Sequence, residues 1–236
     1  MVLFMTPGLG LFYGGMTRAK AALNMILMSF ISAGIVGVVW VLWGYSMTTG
    51  EGILGLFGNP FANFGLQNLM GSPELIKAGY SATFAIITVA LISGAIADRA
   101  RFSAWAVFVP VWITLVYCPL AYMIWGGGLL SAGGALTSIF GQVIDFAGGA
   151  VVEISSGTAA LVLALIVGQR HGFAKDPNHR PHNVPFIMLG AAILWFGWFG
   201  FNGGAATTAP PAKSITWPKT AVRAPPALMR PPPQIM

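Results

Sequence analysis

Apolar residues fill six blocks along the chain, at about residues 1–17, 21–47, 78–97, 102–124, 146–168 and 184–206, with polar or glycine-rich stretches between them. Five of the blocks reach the roughly 20 residues that a bilayer-spanning helix needs. The pattern predicts an all-α integral membrane protein. The first block is short and starts without the basic region of a signal peptide. It ends in Leu11-Phe12-Tyr13-Gly14-Gly15 rather than at a small-residue cleavage site, so it reads as a helix lacking its outer end.

Composition agrees with that class. Of 236 residues, 56% are hydrophobic and only 8% charged, 31 are glycine, and the mean hydropathy is +0.76, values unsuited to a water-soluble domain. The single cysteine, Cys118, allows no internal disulfide. Charge orients the chain. Arg18 and Lys20 follow the first block, Arg99 and Arg101 the third, and Arg170, Lys175 and Arg180 the fifth. Basic residues concentrate in alternate loops, and by the positive-inside rule these loops are cytoplasmic, leaving the N-terminus and the 48–76 and 125–145 loops outside. The 48–76 loop holds Glu51 and Glu74 and no lysine or arginine. The net charge of +6 is therefore largely topology, and no nucleic-acid partner is needed to explain it.

After Ala206 the character changes to Pro210-Pro211, Pro218, Pro225-Pro226 and Pro231-Pro232-Pro233 with Lys213, Lys219, Arg223 and Arg230. A proline-rich extension of this kind is disordered or polyproline-like. It would emerge outside with four positive charges, against the rule that orients the rest. We therefore divide the chain into a membrane domain, residues 1–206, and a tail, residues 207–236, foreign to the fold. A genuine proline-rich ligand is the alternative, although no clear recognition motif stands out.

The chemistry concentrates in Asp145 to Gly157, where Glu153 interrupts a run apolar enough to cross a bilayer. A carboxylate at mid-membrane costs about 2.5–3.5 kcal/mol on insertion scales, so it faces a protein interior or a wet cavity and marks a pathway. Glu153 lies eight residues beyond Asp145, about 12 Å deeper along a helix. Gly149 and Gly157, four residues to either side, leave room around it or admit another helix. A protonated glutamate bonded between helices is the alternative. Asp145, at the start of the fifth block, can cap free N–H groups and favour the positive end of the helix dipole. The remaining constellations do not point to chemistry. His171, His179 and His182 lie in a proline-broken loop and declare no metal geometry. Gly126-Gly127-Gly128 lacks the Gly-Lys-Ser/Thr ending of a phosphate loop. No serine, histidine and aspartate set suggests hydrolysis. No enzyme activity, cofactor or metal is expected.

Pro7-Gly8, Leu11-Phe12-Tyr13-Gly14-Gly15, Thr17-Arg18-Ala19-Lys20, Trp125-Gly126-Gly127-Gly128, Asp145-Phe146-Ala147-Gly148-Gly149 and Gly197-Trp198-Phe199-Gly200-Phe201-Asn202 occur in that order. Together they resemble the ammonium transporter family, the Amt, Mep and Rhesus proteins. The resemblance covers roughly residues 1–206. It implies a fold of two inverted five-helix repeats plus a last helix, assembled as a homotrimer in the bilayer, of which this chain matches the first repeat and the sixth helix. It implies that Trp125 belongs to an outer aromatic site for ammonium, where an interfacial anchor is the alternative role, and that Phe84 is the first gate phenylalanine, with Tyr80 one turn earlier on the same face. The matching aspartate, Asp145, would organise the ammonium site. Glu153 stands where most members have the first of two pore histidines, a departure shared with a subset of fungal members. It could accept a proton from ammonium or hold the ion. The second histidine and the second gate phenylalanine have no counterparts in residues 207–236. The implied function is transport of ammonium or ammonia through an apolar pore; a family fragment that no longer transports is the competing expectation.

Overall fold

Once their side chains are apolar, the segments between the loops must satisfy every backbone N–H and C=O internally, and the α-helix does so within one segment. The computed structural model describes residues 1–206 other than 142, 171 and 179, so the tail assigned to residues 207–236 lies outside the described residues. Among these, the helices are α1 (Val2–Met16), α2 (Ala19–Met47), α3 (Glu74–Ile96), α4 (Phe102–Trp125), a single turn α5 (Thr137–Phe140), α6 (Gly149–Val167) and α7 (Val184–Ala206). All but α1 and α5 are long and apolar enough to cross a membrane. The chain is a multi-pass, all-helical membrane protein, as its apolar blocks led us to expect.

Three of the long helices contain a wide, π-type turn: Trp40–Gly44 in α2, Ile113–Tyr117 in α4 and Gly149–Ile154 at the start of α6. In α4 the wide turn lies between Pro110 and Pro119. Each proline removes one N–H from the ladder, and a change of pitch between them reorganises the carbonyls left over. The loop at 48–76 is more ordered than a connection. Gly52–Ile53 (β1) pairs antiparallel with Phe57–Gly58 (β2), and Tyr122 of α4 donates a hydrogen bond to the Gly50 carbonyl at 3.2 Å.

Helices α2, α3 and α4 share one apolar cluster around Met25, Met28, Trp40, Trp105 and Tyr117. Two of its indoles are paired, Trp105 Nε1 donating to the Met28 carbonyl at 2.9 Å and Trp40 Nε1 to the Ala78 carbonyl at 3.0 Å, whereas the buried Tyr117 hydroxyl meets no partner among the described residues. A second cluster draws Met5 and Leu9 of α1, Phe84 and Ile87 of α3, Val152 of α6 and Phe201 of α7 to one place. Helix α1 lies against both α2 and α7. Its crossing with α7 is made by two glycines: a methyl group added at Gly8 would stand 2.9 Å from the Leu194 nitrogen, and one added at Gly190 would collide with the backbone of Gly8 and Phe12. With lipid as solvent, such backbone approach is the main source of helix attraction.

One face of the chain is stapled. Arg18 Nε lies 2.6 Å from Asp98 Oδ2, joining the α1–α2 turn to the end of α3. Arg99 donates to the Gly168 carbonyl at 2.7 Å, occupying a carbonyl at the end of α6 that the helix leaves unpaired. His182 Nδ1 lies 2.9 Å from the Thr17 carbonyl, so this histidine holds two turns together; His171 and His179 lie outside the described residues. The outer helices α6 and α7 are the least covered, with 22% and 17% of their apolar windows buried against 39–50% in α2, α3 and α4. Their free apolar faces define an open side of the bundle.

Candidate functional site

Asp145 enters the site as a local structural device. Gly148 adopts a left-handed conformation at φ 93° and turns the chain into α6. The Asp145 carboxylate accepts hydrogen bonds from the Ala150 and Val151 N–H groups, both at 3.1 Å. These donors have no partner within the helix, so the carboxylate both satisfies them and lies at the positive end of the dipole. Replacing Asp145 with Ala is expected to lower the stability of the chain by about 1–2 kcal/mol. Thermal unfolding in detergent measures this, and Asp145→Asn, which keeps one acceptor, should lose less. An unchanged transition for the alanine variant would mean that the two bonds do not hold the turn.

The aromatic residues singled out by sequence come together. Trp125, at the end of α4, is 42% exposed and meets the buried ring of Phe84 edge-on, with centroids 6.3 Å apart and planes at 84°. Tyr80 meets the same ring from one turn above, at 4.9 Å and 64°. Its hydroxyl donates to the Phe201 carbonyl at 3.1 Å, which fastens α3 to α7.

The other face of Phe84 is covered by Phe201, stacked at 4.1 Å with only 16° between the planes. Phe201 lies on α7, and the packing of that helix against α1 and α3 lays its ring on Phe84. Phe201 was visible in sequence only as part of the motif ending in Asn202. Nothing in its spacing to Phe84 could reveal the stack, because the two residues are brought together by tertiary packing.

Below Phe201 is a cavity of about 160 Å³ lined by Met5, Leu9, Tyr13, Ile87, Val152, Leu194, Trp198 and Glu153, among others. Every lining side chain except that of Glu153 is apolar or aromatic. Glu153 therefore lines the same cavity as Phe201, the ring stacked on Phe84. Its side chain is exposed on the open side of α6, and its carboxyl group meets no hydrogen-bond partner among the described residues. The reading of a glutamate bonded between helices thus finds no partner there. Gly157, one turn further along, has no atom within 4 Å of the position a methyl group would take, so the open side continues past it. Trp198 and Tyr13 also line the cavity, and sequence alone assigned them no place in the site. Tyr13 uses its hydroxyl to bond the Leu91 carbonyl at 2.9 Å.

Comparison with known proteins identifies the family. The profile of the Ammonium Transporter Family matches residues 1–224, taking in the first part of the proline-rich tail. The chain is 44% identical over 246 residues to an ammonium transporter of Mycobacterium tuberculosis, covering 94% of this chain and 51% of that protein. It is 47% identical over 224 residues to an ammonium transporter of Aquifex aeolicus, covering 92% and 50%. Among solved structures, that of Candida albicans Mep2 superposes with a TM-score of 0.74 at 39% identity, over 86% of this chain and 45% of that one. The chain spans about half the length of the curated relatives it matches. Its relatives are transporters and not enzymes, and with a family match running over nearly all of its residues, the chain belongs to the ammonium transporter family.

Proposed function

We propose that this chain forms one wall of a route for ammonium and ammonia across the membrane, running from Trp125 past the Phe84–Phe201 stack to the cavity beside Glu153. The observation that carries the reading is the continuity of that line: the exposed tryptophan touches Phe84, Phe84 touches Phe201, and Phe201 lines the cavity that Glu153 also lines. Trp125 recruits the cation by its ring face, an attraction of about 0.5–2 kcal/mol depending on desolvation. The N-terminus and this entrance face outward, and the arginine-rich loops face the cytoplasm.

The stacked rings separate the wet entrance from the apolar cavity. Moving a charged ion past them without replacing its hydration is costly. Ammonium escapes that cost by giving up a proton, and potassium has none to give, so selectivity follows from deprotonation. Glu153 takes the proton or holds the cation at the cavity. Asp145, whose oxygens are committed to Ala150 and Val151, adds negative potential from the helix start without touching the substrate. The open faces of α6 and α7 are where the rest of the route wall is completed in the longer relatives, and the complete protein works as a homotrimer.

A second reading is favoured by the half-length match and by those same open faces: a family fragment that does not transport and acts at most as a membrane interaction protein. Growth of cells deficient in ammonium uptake, on low ammonium, separates the two. Joined to the second half of a complete relative, residues 1–206 are expected to restore growth, and failure of a well-expressed chimera would sink the transport reading. The chain by itself is expected not to restore growth, since half of the wall is missing; rescue would overturn that expectation.

A further inference from the structure

The β1–β2 hairpin contributes no residue to the ammonium route, yet it is fastened to the end of α4 that carries Trp125. Tyr122, buried one turn before Trp125, donates its hydroxyl hydrogen bond to the Gly50 carbonyl at 3.2 Å. The Leu129 N–H, just beyond Trp125, donates to the Gly55 carbonyl at 3.0 Å. The hairpin is anchored in turn on α2, where the Ser46 hydroxyl donates to the Asn59 carbonyl at 2.9 Å and accepts from the Asn63 N–H at 2.8 Å.

The glycines that follow Trp125 allow this approach. A methyl group added at Gly126 would collide with the Thr48 carbonyl just past the end of α2, and one added at Gly128 would stand 2.5 Å from the Gly55 carbonyl. Gly127, between them, is left-handed at φ 95°. The Gly126 and Gly128 N–H groups both bond the Tyr122 carbonyl, at 2.9 and 3.1 Å, so the turn closes on the residue whose hydroxyl holds the hairpin.

Trp125 needs that support. It is 42% exposed, and among the described residues its ring meets another ring only edge-on, at Phe84. The attraction of a cation to an indole depends on presentation of the ring face, and an exposed side chain held at one edge keeps much of its freedom to turn. Its direction is then set by the backbone from which it springs.

We propose that the β1–β2 hairpin is a clamp that presents the face of Trp125 to the incoming cation, with Tyr122 as its positioning residue. The inference rests on the reading of Trp125 as the recruiting ring. Tyr122 touches no substrate; it acts through the backbone of the turn and through Gly50. The clamp strengthens capture at the entrance and leaves the passage beyond Phe84 unchanged, because no hairpin residue lines the cavity beside Glu153.

Two substitutions release the clamp from opposite sides. Tyr122→Phe removes the hydroxyl and keeps the ring. Gly52→Ala, in the exposed part of the hairpin, places a methyl group where the Tyr122 hydroxyl lies and displaces it without altering α4. In the purified 236-residue chain in detergent, hydroxyl-radical footprinting read by mass spectrometry is expected to show oxidation of Trp125 raised at least about twofold in both variants. Trp105, which is 1% exposed, should stay protected and so reports that the fold is intact. In a chimera with the second half of a complete relative, KM for methylammonium is expected to rise about three- to tenfold in either variant, with the maximal rate within about twofold of native. Added to Trp125→Ala, the same substitutions should change KM no further, since no ring is left to position. A native Trp125 footprint in both variants would overturn the clamp. So would a native KM where Trp125→Ala raises it, or an equal rise with and without Trp125. If Tyr122→Phe fails to fold, Gly52→Ala carries both measurements. Trp125→Ala with native KM would instead sink the recruitment reading, and the footprint would still decide whether the hairpin fixes the ring.

Discussion

Glu153→Gln, placed in a chimera that supplies the second half, is expected to reduce uptake of radiolabelled methylammonium at least about a hundredfold, the lower end of what a positioned proton acceptor contributes. The substitution keeps the size and shape of the side chain and removes both its charge and its ability to take a proton. The cavity gives it no substitute, because every other side chain lining it is apolar or aromatic. Asp145 does not replace it either, since its carboxylate is bound to the Ala150 and Val151 N–H groups at the helix start. Glu153→Asp, which shortens the reach but keeps the acid, should fall between the two. Unchanged uptake with unchanged ion selectivity in the glutamine variant would remove Glu153 from the route, and with it the reason for reading the cavity as part of one.

Gly190→Leu should prevent the chain from accumulating in a folded form. An added carbon at Gly190 already overlaps the Phe12 nitrogen and the Gly8 carbonyl, both backbone atoms that cannot turn aside as a side-chain end can. Helices α1 and α7 would have to separate, at a cost of about 3 kcal/mol or more, and the α1 residues that line the cavity would move with them. Gly157→Ala is the matched control. Nothing lies within 4 Å of the added methyl group, so in this chain the change should be neutral or raise stability by about 0.5–1 kcal/mol through the helix preference of alanine. Thermal unfolding and monodispersity in detergent compare the two. A Gly190→Leu chain as stable as the native one would show that the α1–α7 crossing is not set by this contact.

How much of this was legible in the residues differs between the helices and the site. Block edges at 102 and 184 coincide with the starts of α4 and α7, because transfer of apolar side chains out of water and internal pairing of the backbone are properties of each segment alone. The predicted start at 78 missed the first turn of α3, where Glu74 and Lys77 extend the helix into the polar boundary. The hairpin at Gly52–Gly58 was read as loop, since two-residue strands carry no periodic signal and depend on Tyr122 of another helix. In the site, the capping role of Asp145 could be read from its place before the helix, although the acceptors reach N–H groups five and six residues on because a left-handed Gly148 and a wide first turn intervene. Trp198 and Phe201 escaped assignment for the opposite reason: each is one aromatic among many on α7, a helix with apolar residues on every side, and only its packing partner distinguishes it.

The amino-acid order by itself determined that the chain lives in a membrane, roughly where its spans lie, and that an acid sits inside one of them. Those results depend on solvation and on spacing within a single helix, which a linear string contains. The stack of Phe84 on Phe201, the cavity beside Glu153 and the open side along α6 and α7 were decided only in three dimensions, by backbones that approach at Gly8 and Gly190 and bring residues more than a hundred positions apart into contact. A pathway is a relation between helices, and helix-to-helix distance is set by the shape of small residues at a crossing, which composition and periodicity do not encode.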